Sequence, residues 1–132
     1  MNSILETLKI ACIDISELMR NNDPFKLSEI TDNSNESGDD VKSLDILSNN
    51  ILKNHLSNNE SVAVIGSEEE EHLCFTKYND KDNYENKYLV CFDPLDGSSN
   101  IDSNITVGSI FAIYKLSQFI SCYQELVNTK VD

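Results

Sequence analysis

The run K-Y-L-V-C-F at 87–92 passes without a break into D-P-L-D-G-S-S-N-I-D at 93–102, and this junction constrains the fold more than any other stretch. A short apolar run rich in Tyr, Val and Phe between polar breaks predicts a β-strand. Such a strand delivers Asp93 and Asp96 to one edge of a sheet, where Pro94 blocks further pairing and both carboxylates can face one cleft. Two like charges so close repel strongly at low effective dielectric unless a proton or a metal ion is shared between them. Oxygen donors without His or Cys select Mg²⁺ or Mn²⁺ over zinc. Gly97, Ser98 and Ser99 can then turn the chain so that successive backbone N–H groups converge, an arrangement suited to a phosphate.

Two helical patterns precede this junction. Ile4, Leu5, Leu8, Ala11, Cys12, Ile15, Leu18 and Met19 recur at three- and four-residue steps and predict a helix over about residues 3–20. Ile10 and Ile13 fall on its other side, so a second body is expected to cover it, either the rest of a larger fold or another subunit. Asn21-Asn22-Asp23-Pro24 ends it. Residues 31–40, T-D-N-S-N-E-S-G-D-D, predict a polar loop. Beyond it Val41, Leu44, Leu47, Ile51, Leu52 and Leu56 share a face of a second helix, with Asp39 or Asp40 capping its first turn. Asp45 projects between Val41 and Leu56, at the edge of the apolar stripe. A carboxylate there loses solvation unless it has a partner, which makes it a functional candidate.

The segments S-V-A-V-I-G, L-C-F-T-K-Y, K-Y-L-V-C-F and N-I-T-V-G-S-I-F-A-I-Y-K predict four strands. Two helices followed by strands imply an α+β or layered α/β fold with a mixed sheet. S-Q-F-I-S-C-Y-Q-E-L-V-N near the end predicts a short helix. Residues 1–115 are expected to form one domain, and 116–132 a divergent, helical tail.

Charge narrows the partners. With 23 acidic and 10 basic residues among 132, the chain carries a formal −13, which repels nucleic acid and anionic membrane surfaces. An anionic substrate would need divalent cations or backbone donors to hold it. No window offers the roughly 18 apolar residues of a membrane span, and an early Glu without a basic leader points to a cytoplasmic protein. Cys12, Cys74, Cys91 and Cys122 are scattered singly and are expected to be buried, reduced thiols. A Glu run such as 68–71 is usually a solvated face. Because it comes directly after a strand, Glu68 and Glu69 are better placed for a cleft than Glu70 and Glu71. With Asp45, Asp93 and Asp96 they could furnish a two- or three-metal phosphoryl-transfer site.

D-P-L-D-G-S-S-N-I-D followed by T-V-G-S-I-F-A-I-Y closely resembles the class 1 fructose-1,6-bisphosphatase signature, within the Mg²⁺-dependent, lithium-sensitive sugar and inositol phosphatases. The resemblance extends through V-K-S-L-D-I-L-S-N at 41–49 and S-E-E at 67–69, and weakly into the first helix, covering residues 4–115. It implies the N-terminal half of a sugar-phosphatase fold. Metal ligation falls to Glu68, Asp93, Asp96 and the backbone carbonyl of Leu95, while Asp45 and Glu69 match the pair that positions and deprotonates the attacking water. Gly97, Ser98 and Ser99 match the turn that binds the departing phosphate. Asn35 and Asp39 match a mobile loop that closes over the site. Lys87, Tyr88 and Lys115 match positions near a regulatory AMP pocket, Lys115 standing where Arg is usual.

The resemblance further implies hydrolysis of the 1-phosphate of fructose 1,6-bisphosphate, a gluconeogenic step, by a Mg²⁺-dependent homotetramer. The family continues well beyond this length, with sugar-binding residues and a further metal-binding Glu in its second half, so the chain is expected to be incomplete and inactive by itself. Two alternatives stand beside this reading. One is a sedoheptulose-1,7-bisphosphatase, against which Ser98-Ser99-Asn100-Ile101-Asp102 argues; the other is a non-catalytic metal-binding or regulatory remnant.

Overall fold

A hydrophobic face every third or fourth residue gives the first helix, α1, Asn2–Asn21, which buries Ile4, Leu8, Ala11 and Ile15. The computed structural model describes residues 1–21, 37–80, 83–98 and 106–117, without the side chains of 37–43. Asn35, Ser99, Cys122 and the expected C-terminal helix lie outside the described residues. Leu5, expected inside, is exposed, as are Ile10 and Ile13. The helix therefore contacts its neighbours along one narrow stripe, and the far side has no cover among the described residues.

The second helix, α2, spans Ser37–Ser57. It starts earlier than the apolar pattern, so Asp39 and Asp40 lie in its first turn, neither in a preceding loop nor at a cap. Acidic residues are favoured there by the positive end of the helix dipole. Its buried arc also differs from expectation. Leu44, Leu52 and Leu56 are buried as expected, but Leu47 is exposed while Ser48 and Asn49 are buried. At about 100° per residue, positions 45, 48, 49, 52 and 56 form one arc and Leu47 falls opposite, so Asp45 sits within the buried arc.

Four strands complete the fold: β1, Val62–Ser67; β2, Cys74–Phe75; β3, Tyr88–Asp96; and β4, Gly108–Lys115. They form one mixed sheet in the order β2-β1-β3-β4, with β1 and β3 parallel and the outer pairs antiparallel. β2 is shorter than L-C-F-T-K-Y suggests. Thr76 ends it by bonding β1 twice, its N–H to Ala63 O at 3.0 Å and its hydroxyl to Val62 O at 2.6 Å, while its hydroxyl accepts the Tyr78 N–H. β3 runs through Pro94, which is buried, to Asp96. The register with β4 shifts between Asp93 and Asp96, so the missing N–H of Pro94 falls where the ladder is already interrupted.

The helices cover one face of the sheet, where Val62, Ile65, Val90, Phe92 and Leu95 meet the apolar stripes of α1 and α2. Among the described residues the other face carries only Ala63, Val64, Leu89 and Leu116 as buried apolar residues and leaves Ile110 and Tyr114 exposed. Cys12, Cys74 and Cys91 are free and half-buried, less enclosed than expected, because each lies at the margin of a packed face. Among the described residues no helix is long and apolar enough to cross a membrane.

Candidate active site

Parallel pairing of β1 and β3 sends both strands out of the same end of the sheet, and the acids cluster where the strands leave it. Ser67 pairs with Phe92, so Glu68 and Asp93 emerge side by side. Glu68 is fixed there by its N–H, which donates to Phe92 O at 3.0 Å. Asp93 folds back on its own strand, its carboxylate accepting the Leu95 N–H at 3.0 Å. α2 brings Asp45 to the same point. A groove of about 370 Å³ on the open face of the sheet reaches Glu68 and Asp93.

The electrostatics follow from carboxylates placed close to one another. Burial pushes the Asp45 carboxyl above its ordinary range; a hydrogen bond from the Ser98 side chain opposes that, and the charges of Asp93 and Glu68 add to it. Glu69 is also held above its usual range, by desolvation first, then by the charge of Asp45, by a hydrogen bond to Glu68, and by the charges of Glu68 and Asp93. Among the described residues no Lys or Arg acts on either group. Each therefore retains a proton more readily than a solvated carboxyl, which is the relief open to crowded acids without a cation.

The turn after Asp96 has the conformation its glycine permits. Gly97 adopts φ 83°, a left-handed geometry that L-residues with a Cβ rarely take. It directs Ser98 back onto Asp45. The structure thus brings together Asp45, Glu68, Glu69, Asp93 and Ser98, from α2 and the two strand ends. Leu95 is buried in the core and reaches the site only through its backbone. Asp96 is exposed and is not among the groups that perturb Asp45 or Glu69. Asp93 lies opposite Ile110 and Asp96 opposite Gly108, so the register shift between them turns both acids toward one side of the β4 ladder.

Lys87, Tyr88 and Lys115 do come together, but at the other end of the sheet. Tyr88 pairs with Lys115 where β3 begins and β4 ends. Tyr88 and Asp93 are five residue steps apart along the strand, roughly 17 Å.

Two residues to which the sequence patterns assign no role complete the site's frame. Asn49, nearly buried, donates to Glu70 Oε1 at 3.1 Å and accepts the Ser67 hydroxyl at 2.7 Å. Lys53 Nζ donates to the same Glu70 oxygen. Their spacing is a usable signal: Asp45, Asn49 and Lys53 are four residues apart and line one edge of a helix.

The donor set fits a hard divalent cation in kind, being all oxygen and mutually repelling. Among the described residues no three His, Cys, Asp or Glu side chains converge closely enough to hold one as they stand.

Comparison with known proteins agrees with this geometry. Residues 1–129 match the family described as Fructose-1-6-bisphosphatase, N-terminal domain. The chain is 42% identical over 115 residues to Fructose-1,6-bisphosphatase 1 of Bos taurus, covering 87% of this chain and 33% of that protein. It is 40% identical over 110 residues to the class 1 enzyme of Hydrogenovibrio crunogenus, covering 83% of this chain and 32% of that one. The crystal structure of Leishmania major fructose-1,6-bisphosphatase in holo form superposes with a TM-score of 0.63 at 32% identity, over 85% of this chain and 32% of the other. The chain spans about a third of the length of these relatives. A helix-backed sheet with acids at one end, and matches over nearly its full extent, place the chain in the fructose-1,6-bisphosphatase family, within its N-terminal domain.

Proposed function

We propose that this chain supplies the acidic, water-activating part of a Mg²⁺- or Mn²⁺-dependent phosphatase that hydrolyses the 1-phosphate of fructose 1,6-bisphosphate. The observation that carries this reading is the meeting of Asp45, Glu68, Glu69 and Asp93 at one sheet end, with no cationic side chain among the described residues acting on Asp45 or Glu69. Glu68, Asp93, Asp96 and the Leu95 carbonyl would hold the cation. When bound, a divalent cation neutralises phosphate charge and lowers the pKa of a water ligand.

The chain's own residues do the rest. Asp45 and Glu69 orient the attacking water and accept its proton, a role for which raised carboxyl pKa values are suited. Oxygen attacks phosphorus, the bond from phosphorus to the sugar oxygen breaks, that oxygen takes up a proton from solvent water, and inorganic phosphate and the 6-phosphate sugar leave. The Gly97 turn, with Ser98 and Ser99, presents donors to the phosphate oxygens.

The test is a chimera in which this chain replaces the matching third of the Bos taurus relative. Phosphate release from fructose 1,6-bisphosphate at saturating Mg²⁺ is the expected result. A folded chimera without release overturns the reading, and preference for sedoheptulose 1,7-bisphosphate corrects its substrate.

A further inference from the structure

We propose that Asn49 and Lys53 are positioning residues, which clamp the turn after β1 onto α2 and so keep Glu68 and Glu69 facing Asp45. The use of this clamp rests on the phosphatase reading; its geometry does not. From α2 the connection runs unbroken to the backbone of the acidic turn. Asn49 Oδ1 accepts the Ser67 hydroxyl at 2.7 Å, and Ser67 Oγ in turn accepts the Glu69 N–H at 3.2 Å. On its other side Asn49 donates to Glu70 Oε1, which Lys53 also holds. Glu70 N–H donates to Ser67 O at 3.3 Å and closes the turn.

The need for a clamp comes from charge. Glu68 and Glu69 are exposed and are repelled by Asp45 and Asp93, so an unrestrained turn would swing toward solvent. Glu70 resolves this, because it points away from the cluster to an ammonium group. Its carboxyl is held below the usual range by hydrogen bonds from Lys53 and Asn49. In the run of four glutamates, then, the third is the anchor by which the first two are aimed.

Amide exchange in the ¹⁵N-labelled chain, without metal, tests the clamp directly. Asn49→Ala and Lys53→Met should each speed exchange of the Glu69 and Glu70 amides by about tenfold, with the β1 and β3 amides unchanged. Lys53→Arg should restore the original rates. Mn²⁺ titration followed by electron paramagnetic resonance should show weaker binding in the same two variants and recovery in Lys53→Arg. Because Asn49 is buried, Lys53→Met decides the matter if Asn49→Ala fails to fold. Unchanged Glu69 exchange, or acceleration spread evenly over α2 and β1, would overturn the proposal. An unmodified chain that binds no Mn²⁺ would instead count against the phosphatase reading, leaving the exchange data to judge the clamp.

Discussion

The two ends of the sheet treat charge in opposite ways. Where β3 begins, Lys87 Nζ donates to Glu60 O at 2.8 Å and lies 5.6 Å from the centre of the Tyr78 ring. The backbone there is tied off as well, Tyr88 N–H to Ser61 O at 2.9 Å and Leu116 N–H to Lys87 O at 2.8 Å. Where β1 and β3 end, Asp45, Glu68, Glu69 and Asp93 crowd together, with no positive partner for Asp45 or Glu69 among the described residues. One end is electrostatically closed and the other is left open. A fold tolerates such a local excess of one sign only where its rigid elements over-determine the positions, as the strand pairing and the Asn49 contacts do here.

The sharpest way to break this contrast is at Asp45. In the chimera with the Bos taurus relative, Asp45→Asn removes a proton acceptor while keeping shape and the contact with Ser98. Turnover should fall by about 10²–10⁴-fold, the range typical of a lost general base, with KM nearly unchanged. Steady-state kinetics measure both. Equal losses in kcat and in substrate affinity would make Asp45 a structural carboxylate.

A second, smaller effect is expected at Asp93. Asp93→Asn keeps an oxygen to accept the Leu95 N–H and deletes only the charge. Mn²⁺ affinity measured by calorimetry should drop by at least about tenfold, since charged oxygen ligands dominate the binding of hard cations. Stability without metal should stay level or rise by up to about 1 kcal/mol, because one repelling charge is gone. A marked loss of stability would mean that the Asp93 charge has a partner in the fold.

How much of this is legible in the sequence depends on the kind of signal. The helices and the four strands are carried by periodicity, and the acidic end of the sheet by acids placed directly after strand-like runs. Pro94 misleads because a proline stops a regular ladder, whereas a register shift at that point leaves no ladder bond to lose. Leu47 misleads and Asn49 is missed because the apolar pattern of α2 does not reveal a neighbour that supplies hydrogen bonds. Asn49 is buried only because Ser67 and Glu70 come to meet it. The register shift also decides where Asp96 falls relative to Asp93. Spacing along the chain sets side-chain direction only while the strand stays regular.

Acidity should move the same balance. Asp45 and Glu69 hold their protons more tightly in the folded chain, so without metal their contribution to stability is complete below the ordinary values of 3.8 and 4.5. It is lost as pH rises past these values and through the raised folded ones. Glu70 has the reverse sign: its contribution is present above 4.5 and is lost as pH falls through its lowered folded value. Urea unfolding of the metal-free chain from pH 4 to 7 should therefore show a component that declines with rising pH. An Asp45→Asn, Glu69→Gln double variant should remove that component, and adding Mn²⁺ should mask it. An identical pH profile in the double variant would show that the two acids are solvated and independent.

The smallest effect is expected at the closed end, and its sign matters more than its size. Lys87→Met keeps most of the apolar stem but removes the donor to the Glu60 carbonyl and the more distant of the two cations over Tyr78, leaving Lys77. Both interactions are partly open to water, so together they contribute about 1 kcal/mol or less. Deleting a charge here should lower stability, whereas deleting one at Asp93 should leave it level or raise it. Urea unfolding of Lys87→Met and Asp93→Asn side by side, without metal and at one pH, reads both signs. If both variants lose stability alike, the acidic end is as well paired as the basic end, and the electrostatic ground for placing the chemistry at the ends of β1 and β3 is removed.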